Sequence, residues 1–133
     1  CALADARLPP AQELAAAAAR AAQLPWPADL VALGMGEDGH TASWFPRAQG
    51  LADAIDPAAR ALVAAMPAPD GLEPRLTLTG RAILRARAIA LQIEGPKKAQ
   101  VFARAEGGGP VEDMPIRAVL RGAADRLTVF EAA

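Results

Sequence analysis

Leu30-Val31-Ala32-Leu33-Gly34-Met35-Gly36-Glu37-Asp38-Gly39-His40-Thr41-Ala42-Ser43 decides how this chain is read. An apolar run passes into a loop holding three glycines, two acids and the only histidine of the sequence. A short apolar run closed by glycine reads as a buried strand. A strand that feeds a glycine-rich turn is how α/β folds carry reactive groups to the carboxyl edge of a parallel sheet. If the chain does chemistry, it is expected on this loop.

Outward from the loop, strands and helices alternate. Ala11–Gln23 is alanine-rich, opens after Pro9 and Pro10 and contains no β-branched residue, which predicts a helix. Asp29–Leu33 is the strand before the loop, and Arg47–Ala54 a helical turn after it. Ala61–Met66 is a second strand, stopped by Pro67, Pro69 and Gly71. Arg75–Leu78 alternates and reads as a short strand. Thr79 is the expected N-cap of a helix running to about Ala86. Ala88–Ile93 is a third strand, and Pro96 opens a helix to about Ala105. Gly107-Gly108-Gly109-Pro110 is a loop, followed by helical turns over Pro115–Leu120 and a last strand over Leu127–Phe130. This alternation predicts an α/β fold: a mostly parallel sheet with helices on both faces, Rossmann-like in three layers.

The bulk numbers narrow the function. The chain has 133 residues, 53% hydrophobic, with a formal net charge of −1. One domain with a real core is affordable at this size. Near-neutral charge argues against broad attraction to nucleic acid or anionic membranes. No apolar run reaches the roughly 18 residues of a membrane span. A single cysteine allows no internal disulfide and fits a reducing, cytoplasmic setting. Cys1 reads as an accident of where the chain starts rather than as a nucleophile.

Gly34, Gly36 and Gly39 formally satisfy the dinucleotide fingerprint. That reading fails on charge. A pyrophosphate cradle needs amides and a helix N-terminus facing the anion, whereas Glu37 and Asp38 sit inside the loop and Pro46 soon follows. The acids and the histidine make better sense together. Residues two apart in a turning backbone reach the same side, so Asp38 can orient His40 and favour its protonated form. An imidazole so held serves as a general base. The plainer alternative is a structural histidine bonding loop carbonyls; glycines that let a substrate approach the backbone favour the first. Thr41 and Ser43 lack a Gly-x-Ser-x-Gly context and read as loop hydrogen-bonding residues. Trp44 and Phe45 read as packing. One histidine and no cysteine partner make a poor metal site.

Lys97 and Lys98 are the only lysines and fall in the first turn of a predicted helix. Positive charge there opposes the helix dipole by about 0.3–1 kcal/mol, a penalty that a bound anion reverses. A solvated surface pair explains them equally well. Arg75, at a strand start, can grip phosphate or carboxylate in a bidentate way, or pair with Glu73. Arg81, Arg85 and Arg87 read as a solvated face.

Leu33–Ser43 followed by Trp44-Phe45-Pro46 resembles the signature of the 6-phosphogluconolactonases, which share an ancestral fold with glucosamine-6-phosphate deaminases. Pro74–Thr79 and Gly95-Pro96-Lys97-Lys98-Ala99 extend the likeness. The family pattern has Leu where this chain has Trp44. The resemblance covers nearly the whole chain but about the second half of a family member. Members carry a Ser-Gly-Gly phosphate loop and an Asp-Glu-Arg stretch that nothing here matches. It therefore implies that residues 1–133 are the C-terminal part of a single lactonase domain, missing its N-terminal strands, and that the chain alone hydrolyses the lactone poorly or not at all.

The implied reaction is hydrolysis of 6-phospho-glucono-1,5-lactone in the pentose phosphate route, with no metal or organic cofactor. His40 and Asp38 are the implied catalytic pair. Gly34, Gly36, Gly39, Arg75 and Lys98 are the implied substrate contacts, Lys98 and Arg75 at the phosphate. The expected partner is the phosphosugar lactone, with neither nucleic acid nor membrane, in a monomer or weak homo-oligomer. Two rivals stand beside this: a deaminase of the same fold, and a non-catalytic sugar-phosphate-binding module. The deaminase predicts an Asn-Glu-Pro type sequence after the histidine, where Ser43-Trp44-Phe45-Pro46 stands.

Overall fold

A computed structural model describes residues 10–71 and 73–133; Cys1 and Pro9 lie outside them. In chain order the elements are α1 (Pro10–Ala22), β1 (Val31–Gly34), α2 (Leu51–Ile55), β2 (Val63–Met66), β3 (Arg75–Leu78), α3 (Gly80–Ile83), β4 (Ile89–Glu94), α4 (Pro96–Glu106), α5 (Ile116–Gly122) and β5 (Leu127–Ala132). Among the described residues no helix is long and apolar enough to cross a membrane.

The sheet is parallel, in the order β1-β4-β5. Val31 and Leu33 stand opposite Ile89 and Leu91, which in turn stand opposite Leu127 and Val129. With the two-residue period of a strand, these residues all point to one face. There they share a core with Leu51 and Ala54 of α2, Ile83 of α3, Val101 and Phe102 of α4, and Ile116 and Val119 of α5. The alternate residues Ala32, Gly34, Gln92 and Phe130 are exposed on the opposite face. Parallel strands and helices are thus as the sequence predicts, and α2–α5 all contribute to the core on a single face.

β2 and β3 form a separate antiparallel hairpin, Val63 opposite Leu78 and Met66 opposite Arg75. It lies between two clusters. Met66 belongs to the main core, while Val63 packs with Ala17 and Ala21 of α1, joined by Leu76 and Leu78. Both faces of β3 are therefore used. Its leucines turn to α1, and Thr77 is buried on the other side.

Two helices differ in extent from the sequence expectation. The turn predicted from Arg47 starts only at Leu51, because Arg47 (φ 55°) and Gly50 (φ 80°) are left-handed and a right-handed helix cannot run through them. The helix after Thr79 ends at Ile83. Thr79 is its N-cap, as the sequence predicts, with its carbonyl accepting from the Ala82 and Ile83 amides; its hydroxyl makes no cap bond and donates to the Ala61 carbonyl at 2.7 Å.

The amino end of the sheet is stitched by Arg126. Its Nη1 donates to the carbonyls of Leu84 (2.8 Å) and Ala86 (2.7 Å), and its Nη2 to that of Gly122 (3.1 Å). One guanidinium thereby ties the entry to β4 to the entry to β5, and fixes from below the strands whose upper ends carry the site.

At Gly80, a Cβ would overlap the carbonyl of Ile55 and lie 2.8 Å from that of Asp56. Backbone on backbone leaves no flexible group to give way. Gly80→Ala is expected to destabilise the chain by about 1–3 kcal/mol, read as a lower urea midpoint at unchanged m-value. An unchanged midpoint would show that α2 and α3 separate freely.

Candidate active site

The loop closes on itself directly after β1. The Gly39 amide donates to the Gly36 carbonyl (3.0 Å) and the Gly36 amide to the His40 carbonyl (2.9 Å). Within this ring, Asp38 Oδ1 accepts from the His40 backbone amide at 3.0 Å and from His40 Nδ1 at 2.6 Å. With the Nδ1 proton pointing at a carboxylate, Nε2 is left as the open, basic nitrogen. The His40 side chain is 34% exposed, so solvent reaches it. Its ring leans on Phe45, centroids 5.2 Å apart at 52°.

Partial burial raises the Asp38 pKa, but the hydrogen bonds from the His40 amide and ring, with the charge of that ring, outweigh it. The net effect holds the carboxyl below the ordinary aspartate value.

Gly36 and Gly39 are required by space. A Cβ at Gly36 would overlap the His40 ring and come within 2.7 Å of Asp38 Oδ1. Gly39 has φ +83°, and a Cβ there would press on Met114 at 3.0 Å. Their amides are used inside the loop, so what these two glycines supply is close approach.

The stem of the loop is pinned from two sides. Thr41 is fully buried and its hydroxyl donates to the Gly34 carbonyl at 2.8 Å. Trp44, also fully buried, donates from Nε1 to the Leu78 carbonyl at 3.0 Å. Between them Ala42 sits at φ 50°, in a turn closed by the Trp44 amide on the Thr41 carbonyl (3.0 Å). The Ser43 amide donates to the Thr77 hydroxyl at 3.2 Å. After β1 no helix begins until Leu51, so the loop lacks the helix N-terminus that a pyrophosphate cradle needs.

The predicted cations lie around this unit at different removes. Lys98, in the first turn of α4, lines a cavity of about 440 Å³ with Gly34, Gln92, Glu94 and Phe130. The cavity sits at the carboxyl ends of β1 and β4, and its charge is mixed: the Glu94 carboxylate accepts from Gln92 Nε2 at 2.8 Å. His40 is not among its lining residues. Arg75 stands exposed at the start of β3, two residues before Thr77 and so on the same strand face, on the side that meets Ser43. Lys97 is exposed beside Lys98. Gly36, Asp38, Gly39 and His40 therefore form one hydrogen-bonded unit. Gly34 and Lys98 share a cavity, and Arg75 joins the loop only through β3. Arg81 and Arg87 are exposed as predicted, bonded to the Arg60 carbonyl and to Asp29.

Other supports carry no sequence signal. The sequence marks Phe45 only as packing, and its ring contact with His40 depends on a turn geometry that no local pattern encodes. The segment before α5 also grips the loop: the Arg47 amide donates to the Glu112 carbonyl (2.9 Å), Arg47 pairs with Asp113, and the Ile116 amide donates to the Gly39 carbonyl (3.0 Å). Among the described residues no cluster of His, Cys, Asp and Glu has the grouping to hold a metal ion.

Residues 3–129 match the family of glucosamine-6-phosphate isomerases/6-phosphogluconolactonase. The chain is 47% identical over 116 residues to a 6-phosphogluconolactonase of Rhizobium meliloti (strain 1021), covering 87% of this chain and 50% of that one. It is 50% identical over 107 residues to one of Mesorhizobium japonicum, covering 80% and 44%. The crystal structure of a 6-phosphogluconolactonase from Shewanella baltica OS155 superposes with a TM-score of 0.81 at 40% identity, covering 88% and 49%. The chain thus spans about half the length of the relatives it matches. Signature loop, fold and relatives agree, and the chain belongs to the glucosamine-6-phosphate isomerase/6-phosphogluconolactonase family.

Proposed function

We propose that these 133 residues are the C-terminal part of a single lactonase domain that hydrolyses 6-phospho-glucono-1,5-lactone to 6-phosphogluconate. The observation that carries this reading is the 2.6 Å contact from His40 Nδ1 to Asp38 Oδ1, which leaves Nε2 free beside solvent. Nε2 takes a proton from water as the oxygen attacks the lactone carbonyl carbon. The carbonyl electrons move to oxygen, then return as the bond to the ring oxygen breaks. The imidazolium returns the proton to that departing oxygen, so water is consumed and the acid released. Asp38 orients the ring. Gly34, Gly36 and Gly39 let the substrate approach the loop. Arg75 and Lys98 hold the phosphate, which supplies binding energy remote from the reacting carbon. A phosphosugar substrate, a cytoplasmic setting, and the lack of any nucleic-acid or membrane partner belong to the same proposal. The deaminase reading is less favoured, because the relatives named above are lactonases and Ser43-Trp44-Phe45-Pro46 follows the histidine loop.

The decisive assay follows acid release from the lactone in a full-length protein carrying this chain, with ammonia release from glucosamine-6-phosphate as the control. Acid without ammonia is expected, and ammonia without acid would turn the assignment to the deaminase branch. His40→Ala should lower turnover by at least about 10²-fold with the fold intact; an unchanged rate would remove His40 from the mechanism. Lys98→Ala and Arg75→Ala should each raise KM by about 10- to 100-fold, the worth of a hydrogen bond to a charged group. Unchanged KM in both would place the phosphate elsewhere.

The Asp38 pKa gives a test by acid titration. A carboxyl whose folded pKa lies below its unfolded value stabilises the fold fully above the unfolded value, about 3.9 for aspartate, and the contribution is lost as pH falls through the folded value. The His40 amide chemical shift, which senses the bond to Oδ1, should therefore change with a midpoint below about 3.9. A midpoint at or above that value would mean that His40 does not hold the carboxylate.

A further inference from the structure

Arg117 is a buried cation with an unusual set of partners. Its side chain is only 7% exposed as a residue. Nε donates to the Ala105 carbonyl (3.3 Å), Nη2 to that of Arg104 (3.2 Å) and Nη1 to that of Pro110 (2.9 Å). Among the described residues no carboxylate pairs with it. A buried charge of this kind is costly unless its hydrogen bonds are complete. Here the acceptors are carbonyls of the last turn of α4, where the helix dipole is negative, and of the loop leading away from it. Gly109 is packed so closely beneath the guanidinium that a Cβ there would lie 2.7 Å from Nη1.

What this arrangement fixes is the start of α5. The Arg117 amide donates to the Met114 carbonyl at 2.9 Å, and the neighbouring Ile116 amide donates to the Gly39 carbonyl at 3.0 Å. Gly39 is the residue between Asp38 and His40. The Met114 side chain lies against its α-carbon. One residue further back, Asp113 pairs with Arg47, and the Glu112 carbonyl accepts from the Arg47 amide. The stretch from Glu112 to Ile116 thus touches the histidine loop at both Gly39 and Arg47, and Arg117 anchors that stretch to α4.

We propose that Arg117 is a positioning residue: by locking α5 to the end of α4, it sets Gly39 at the height at which Asp38 and His40 meet. Its role in catalysis rests on the lactonase reading above, but its effect on the imidazole does not. A guanidinium serves three carbonyls in different directions; the compact ammonium of lysine cannot reproduce that fork.

His40 is the only histidine of these 133 residues, and in the full-length protein its ring nitrogens are the signals that His40→Ala removes from long-range ¹H–¹⁵N correlation spectra. In the wild-type chain the neutral ring should carry its proton on Nδ1. In Arg117→Lys the two ring nitrogens should move toward equal protonation, while far-UV circular dichroism stays native. Gly109→Ala, whose Cβ would lie 2.7 Å from Nη1 and so displace the guanidinium itself, should move them the same way. It decides the matter if Arg117→Lys does not fold. In the lactone assay on the full-length protein, Arg117→Lys should lower kcat by up to about 10²-fold, as a small misplacement of reacting groups does, with KM little changed. A lower melting temperature with a wild-type imidazole spectrum would make Arg117 a stabilising residue only, and would overturn the proposal. An inactive wild type would sink the lactonase reading while leaving the spectral comparison valid.

Discussion

The Asp38 carboxylate and the His40 imidazole meet across a single intervening residue, and that geometry constrains everything around it. For two side chains two positions apart to touch at 2.6 Å, the backbone must fold under them, and the ground beneath must be empty. Gly36 supplies the empty ground and Gly39 the left-handed turn. The carboxylate then accepts from both the amide and the ring of one residue. This dual contact makes the orientation of the imidazole a property of the backbone and not of a rotamer alone. It also keeps the charge of Asp38 in place, since the two donors together outweigh the cost of partial burial.

A loop this tight needs a rigid frame, and the frame is reached through backbone polar groups. The Gly34 carbonyl at the end of β1 accepts from the buried Thr41 hydroxyl. The Leu78 carbonyl of β3 accepts from the Trp44 indole. The Gly39 carbonyl accepts from Ile116. β1, β3 and α5 thus hold three points of the loop, the last two from more than 30 positions away, and each contact is made by a residue that is fully buried. At the other end of the sheet, Arg126 does the same for the turns entering β4 and β5. The sheet is the platform because its parallel ladder fixes β1 against β4 in one register.

Much of this was legible in the sequence. Asp29–Leu33, closed by Gly34, and Ala88–Ile93 read as the strands β1 and β4 because the runs are short, apolar and bounded by turn or helix-start residues. Pro96 marked the start of α4 by the ordinary helix rule. The pairing of Asp38 with His40 follows from their spacing; the glycines read there as room for a substrate, whereas Gly36 makes room for the His40 ring and Gly39 for Met114. What was not legible was long-range. The burial of Thr77 contradicts a simple reading of Leu-Thr-Leu-Thr, and arises because β3 has α1 on one side and the loop on the other. Thr79 holds the N-cap position expected of it, yet its hydroxyl goes to the Ala61 carbonyl, a partner 18 positions away. Phe45, Met114 and Arg117 act on the loop through folds of the chain that carry no local mark. A helix end signalled by Thr or Pro is a local event; a carbonyl satisfied from across the molecule is not.

The left-handed residues show how the frame and the site depend on each other. Ala42 and Arg47 adopt φ values of 50° and 55°, which cost about 1–2 kcal/mol each for residues bearing a Cβ. Such backbone persists only where the surroundings over-determine it. Ala42 is held between Thr41 and Trp44, both anchored in the core. Arg47 is held by Glu112 and Asp113. The irregular segment runs on past Arg47, since the helix cannot begin until Gly50 has turned the chain again. The strain is therefore confined to the stretch between the imidazole and α2, and its two ends are clamped by the core and by the segment preceding α5. His40 lies just outside that stretch, bracketed by Gly39, which accepts from Ile116, and Thr41, which is bonded to Gly34, so the imidazole is set between two anchored residues and not on the strained backbone itself.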